Sequence, residues 1–124
     1  MEDEALQAVR NYFEAYATTE PNIATRHSIL PSQDIVEENG EIKMIRLKKA
    51  DLQADVVKYA TDRVQRKEVS TRVEMLSDLS ALVHIEHDCQ SEHLTGKTKS
   101  VFIVCKDKYN TWKIASSWTQ ITRS

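Results

Sequence analysis

Five titratable residues crowd one short stretch of the chain: His84, Glu86, His87, Asp88 and His93. Imidazoles and carboxylates so close together could hold a metal ion or move protons. Residues 82–89 alternate apolar and polar, the period of a β-strand. In a strand His84, Glu86 and Asp88 share one face, while His87 and Cys89 share the other. A zinc site needs three or four converging ligands, and neither face supplies them, so no metal is expected. His84 with Glu86 is left as a candidate acid–base pair on an otherwise solvated or dimer-contacting face. The two thiols, Cys89 and Cys105, have no neighbour in sequence that would make either a nucleophile. Only two glycines occur, both assigned to hairpin turns, so no glycine loop cradles a phosphate. Nor does any serine sit in the glycine elbow of an acyl-transfer triad.

These residues must be positioned by a strand meander. Alternation recurs over residues 73–76, 82–89, 100–105 and 112–121, with turn residues at Ser77-Asp78, Thr95-Gly96 and 107–110. Trp112, Ile114, Ser116 and Trp118 fall on one face of the last strand. If that face is inward, Trp112 closes the core and Trp118 lies where a ligand would stack. A turn at Thr95-Gly96 places Cys89 near Val101 and Phe102, and Cys105 near Ile85 to His87. The thiols are then out of register by about 10 Å along the strand. Bridged Cα atoms lie within about 7 Å, so two free, buried thiols are expected, as suits a reducing compartment.

A half-apolar sheet needs cover, and the first half of the chain supplies it. Leu6, Val9, Tyr12, Phe13 and Tyr16 form an apolar stripe at three- and four-residue steps, predicting an amphipathic helix over residues 3–18. A second helix is expected over 21–30, with Pro21 in its first turn and Pro31 ending it. Asn39-Gly40 then joins strands 34–38 and 41–47 as a two-residue hairpin turn. A third helix is expected over 50–64, with Leu52, Val56, Ala60 and Val64 on one stripe. The order predicts a single α+β domain over residues 1–124, an antiparallel sheet curved around helices. A cone of that kind has a cavity between its layers. Tyr16, His27 and Tyr59 are further candidate walls.

Composition narrows the function classes. The net charge of −2 argues against a nucleic-acid binder, which needs surplus Lys and Arg for phosphates. The basic doublets Lys48-Lys49 and Arg66-Lys67 read as solvated helix ends. No apolar run is long enough to span a membrane. The acidic start, Met1 to Glu4, lacks the basic segment of a secretory signal, so a cytoplasmic protein is expected.

The order of elements resembles the NTF2-like superfamily. The local carriers are the run Tyr12-Phe13-Glu14-Ala15-Tyr16, the hairpin Val36-Glu37-Glu38-Asn39-Gly40 and the closing Trp112-Lys113-Ile114. Among its branches the chain is similar to the ketosteroid-isomerase-like, SnoaL-like and lumazine-binding groups. That resemblance implies a cone fold, a pocket between helices and sheet, and homodimers formed through the outer face of the sheet. It further implies Tyr12 as the helix-one tyrosine and Glu38 as the general base of an isomerase site. Such a site draws a proton from the carbon beside a carbonyl while a phenol stabilises the enolate. The second donor of that site aligns with Phe102, which donates nothing. In a dehydratase of this superfamily, His84 or His87 would be the acid–base residue. The expectation is therefore a small hydrophobic or aromatic ligand in a pocket lined by Tyr12, Tyr16, His27, Tyr59, Phe102, Trp112 and Trp118. The alternatives are a cofactor-free isomerase, cyclase or dehydratase using Glu38, Tyr12 or His84, and a non-catalytic dimerisation module.

Overall fold

Helix α1, Glu2–Ala17, opens with Glu2, Asp3 and Glu4, whose charges complement the positive end of the helix dipole. A computed structural model describes residues 2–60, 64–92 and 94–124, without the side chains of Tyr59 and Ala60. Ala5, Ala8, Val9 and Ala15 form the buried stripe of α1, and the small alanines let the helix lie close on the sheet. Tyr12, Phe13 and Tyr16, on the same side, are only partly buried and reach beyond the alanine contact. Helix α2, Pro21–Arg26, is shorter than expected. Pro31 does not terminate it but lies inside strand β1, Ser28–Glu38, after a cis Leu30-Pro31 bond. The pairing of β1 with its neighbour is interrupted between Ser28 and Gln33, so the proline sits where the ladder asks for no N–H.

The hairpin from β1 to β2, Glu41–Leu47, turns at Asn39 (φ 54°) and Gly40 (φ 75°), as their shared tolerance of positive φ predicts. Helix α3, Lys49–Ala60, buries Leu52 and Val56, and the Asp51 carboxylate accepts from the Lys48 N–H at its start. The expected extension of this helix to Val64 crosses residues 61–63, outside the described residues. Strands β3, Gln65–Ser77, β4, Ser80–Gln90, β5, Thr95–Lys106, and β6, Trp112–Arg123, follow as hairpins.

The six strands form one sheet in the order β2-β1-β6-β5-β4-β3. The sheet is mixed rather than purely antiparallel, because β1 runs parallel to β6. All three helices pack on the same side of it. One core cluster joins α1 to Val83, Ile85, Phe102, Val104, Trp112 and Ile114, and a second joins α1, α2 and α3 through Ala15, Ala24, Leu52 and Val56. Tyr12 contacts both.

Three register details correct the sequence reading. Gly96 is not in a turn but within β5, opposite Cys89 and Arg123. A Cβ there would stand 2.1 Å from the Thr122 carbonyl oxygen and 2.8 Å from the Arg123 Cα, so close backbone approach explains the glycine. The reversal before it is built by Ser91, whose Oγ accepts from the Leu94 N–H at 2.8 Å. Moving the turn moves the thiols. Cys89 pairs with Gly96 and Cys105 with Ser80, at opposite ends of the β4–β5 ladder. Both are unbridged as expected, but Cys105 is half-buried rather than buried. The third correction lies in β6. Ile103 pairs with Ser116 whereas Val104 pairs with Ile114, so Ala115 is an extra residue, a bulge. A one-residue slip turns every later side chain to the other face.

Candidate functional site

That bulge decides what the cone contains. Before it, Trp112 and Ile114 face the helices; after it, Ser117 and Thr119 take that side, opposite Phe102 and Ser100 of β5. A cavity of about 170 Å³ lies between this polar strand face and helices α1 and α3. Tyr12 and Tyr16, one helical turn apart on α1, form its helical wall together with Asp55 of α3. The Tyr12 hydroxyl donates to Tyr16 Oη at 3.4 Å, and the Tyr16 hydroxyl donates to Asp55 Oδ2 at 2.5 Å. Burial raises the ionisation of both phenols well above the usual tyrosine range; at Tyr16 the Tyr12 ring and the Asp55 carboxylate add to it. Both therefore remain hydrogen-bond donors at neutral pH. Across the cavity, Ser100 and Thr119 share a hydroxyl contact at 3.0 Å.

Behind Ser117 stands a second carboxylate, Asp34 of β1. Ser117 Oγ donates to its Oδ1 at 2.7 Å and Ser32 Oγ to its Oδ2 at 3.2 Å. Burial raises its pKa above the ordinary 3.8, opposed by those hydroxyls and the Ser117 N–H, and Asp55 adds like-charge repulsion. A half-buried carboxylate within electrostatic reach of Tyr12 is equipment that proton transfer can use.

A wider cavity, about 920 Å³, adjoins the first and shares Phe13, Tyr16 and Arg66 with it. It lies between α1 and strands β3 and β4, within the size range of small-molecule sites, roughly 300–1,000 Å³. Arg10 grips Glu68 with two bonds, 2.7 and 3.1 Å, on one side. His87 is 5% exposed, packs edge-on to Phe13 at 4.6 Å, and its buried Nδ1 has no partner. Burial, then the charge of Arg66, holds its pKa below the ordinary 6.5, with Glu68 opposing. A depressed pKa means stability that is present above about 6.5 and lost as pH falls through the folded value. His87→Gln is accordingly expected to flatten the decline in Tm on acidification below about pH 6.5, relative to the parent chain, in a pH series of thermal melts.

The candidates from sequence divide clearly. Tyr12, Tyr16 and Phe102 meet at the inner cavity. Glu38 does not reach it: its carboxylate is held by Arg123 at 2.5 Å beside the hairpin turn. Asp34 lies on the same side of β1 four residues earlier, about 13 Å along the strand, within electrostatic reach of Tyr12. His84 is turned away from the helices, because the inward side of β4 is Ala81, Val83, Ile85 and His87. On the outer face it lies 3.1 Å from Arg72 and 3.8 Å from Glu74. Trp118 is also outward, by the bulge, and borders an external hollow of about 260 Å³ with Ile35, Met44, Val101 and Ile103. Trp112 is buried core beside Ile114, not a cavity wall, with Lys106 over its ring. His27 ends α2 half-buried, and borders neither cavity; the side chain of Tyr59 and all of His93 lie outside the described residues. Asp34, Asp55 and Arg66 escaped the sequence reading. Arg66 is not at a helix end but on the inward side of β3. Asp34 carried a signal, since it has the strand parity of Glu38.

No family model matches the chain, and no curated protein does. Solved structures do. A protein from Cytophaga hutchinsonii described as NTF2-like superposes with a TM-score of 0.75 at 12% identity, over 97% of each chain. The fold is NTF2-like. An NTF2-like protein of unknown function from Shewanella oneidensis gives 0.68 at 18% identity, over 95% of this chain and 97% of that one. A ketosteroid isomerase-like protein from Erwinia carotovora gives 0.72 at 11% identity, over 99% and 97%. Such identities establish the NTF2-like cone and leave chemistry to the site. No helix among the described residues is long and apolar enough to cross a membrane.

Proposed function

We propose that the NTF2-like cone binds a small molecule with an aromatic or apolar body and a hydrogen-bonding oxygen. The body lies against Phe13, and the oxygen accepts from the Tyr12 hydroxyl, whose 3.4 Å bond to Tyr16 is long enough to be exchanged for one to the ligand. The observation that carries this reading is the chain Tyr12–Tyr16–Asp55 on the wall of the inner cavity. It holds two phenols as donors in a partly apolar hollow, where such bonds are strong. The test is a thermal-shift screen of aromatic ketones and alcohols. Stabilisation of the parent by about 2.7 kcal/mol is expected at a hundredfold the dissociation constant. Tyr12→Phe is expected to weaken a hit by about tenfold, the worth of one hydrogen bond; unchanged affinity would remove the phenol from the site.

Asp34 favours a second reading, cofactor-free proton transfer. Its half-buried carboxylate would take a proton from carbon while Tyr12 donates to the developing oxyanion, in the role first given to Glu38. The reading has no need of His84.

A homodimer through the outer sheet face is part of the same proposal. Met44 is 73% exposed and Ile103 40% exposed there, around the hollow at Trp118. An apolar patch of this kind marks an interaction surface. Trp118→Glu is expected to shift the sedimenting species from dimer to monomer while leaving the circular dichroism unchanged. The unbridged thiols suit a reducing, cytoplasmic setting.

A further inference from the structure

Arg66 lines both cavities, yet the chemistry described so far makes no use of its charge. Its register opposite Cys89 turns it toward the helices, and its guanidinium carbon sits 5.4 Å from the centre of the Phe13 ring. The carboxylate two positions along, Glu68, is already occupied on both oxygens by Arg10. Among the described residues Arg66 has no ion-pair partner. A guanidinium over a ring retains a planar fork of N–H donors, whose geometry matches a carboxylate. On the opposite wall of the wider cavity Glu14 adds a negative charge, which disfavours ligands carrying two charges. The wider cavity also reaches His87, whose buried Nδ1 is unmatched, so its polar side is not satisfied by the chain alone.

We propose that the ligand is a monocarboxylic acid: Arg66 holds the carboxylate where the two cavities meet, and an oxygen on the adjacent carbon reaches the Tyr12 hydroxyl. The inference rests on the cone cavity being the ligand site. It narrows the ligand to an oxo or hydroxy acid with an apolar body, and it makes Arg66 the residue that selects charge. The inner cavity holds the oxygen-bearing head, and the wider one, past Phe13, takes the body. Because Arg66 is exposed at the junction, its attraction is partly screened, and added salt weakens the acid more than a neutral analogue.

The test uses phenylglyoxylate and mandelate, each against its own primary amide, which keeps shape and loses charge. Affinities are read by ligand-observed NMR on the full chain. Each acid is expected to bind about tenfold or more tightly than its amide, as a charge-assisted bond predicts. Arg66→Gln is expected to abolish that preference while keeping amide affinity; Lys67→Gln, on the other face of β3, leaves the preference intact. Equal affinity for acid and amide would overturn the charge selection and leave the cavity reading standing. An acid preference that survives Arg66→Gln would overturn the assignment to Arg66. Failure of acids and amides alike would overturn the inference; failure of the ketones and alcohols as well would overturn the cavity reading with it.

Discussion

Asp34→Asn is expected to leave the chain at least as stable as its parent at neutral pH and, on the proton-transfer reading proposed above, to abolish that transfer. Burial holds the Asp34 carboxyl above its ordinary 3.8. A raised folded pKa means stability that is fully present below the unfolded value and lost as pH rises through the folded one. Above that window the charged carboxylate is a cost to the fold, and the amide removes it. Relative to the variant, the parent should therefore lose Tm from about pH 4 upward through the raised value. One of Ser117 and Ser32 keeps an amide oxygen to donate to, and the other hydroxyl can turn to accept from the amide NH2, so packing is little disturbed. If Asp34 is the base, exchange of the carbon-bound proton of a carbonyl ligand with deuterated water falls by about 10²–10⁴-fold. Melts and exchange followed by NMR check the two halves separately. A destabilised variant with unchanged exchange would make Asp34 a structural group.

Phe13→Ala should give the largest loss of stability among the cavity residues, about 3 kcal/mol, the low end for a phenylalanine because it is half-buried. Its ring is the hub of the aromatic cluster, 5.9 Å from Tyr12, 5.5 Å from Phe102 and 4.6 Å from His87. Truncation merges the two cavities and removes the surface on which Arg66 rests. A fall in Tm of about 10 °C is expected for a domain of this size. Water reaching His87 would also return its pKa toward 6.5, visible in an NMR titration of the imidazole. Intact stability would show that the cluster is loosely packed and contributes little.

What the residues disclosed in advance follows a physical division. Local periodicity revealed α1, α3, the Asn39-Gly40 hairpin and the last strands, because each signal spans a single element. The parallel union of β1 with β6 joins segments at opposite ends of the chain, and no spacing within either one encodes it. Pro31 read as a helix stop because its tolerance in a gap of the ladder depends on that same distant partner. Ala115 carries no mark of a bulge, yet it reversed the faces of Ser116 and Trp118. At the site, Tyr12, Tyr16 and Phe102 were legible from amphipathicity and resemblance. Asp34 was missed by four residues of alignment on the correct strand face. Arg66 hid in a basic doublet, where charge alone says nothing about which way a strand turns it.

Because β6 joins the β1–β2 ribbon to the β3–β5 meander among the described residues, the sheet cannot close until β6 pairs. A chain emerging from the ribosome would display Phe102, Val104 and the underside of α1 to water with no covering lattice until Arg123 is free. Slow, non-local pairing of this sort leaves a window for clumping. Chaperone demand should thus concentrate in the interval before β6 pairs.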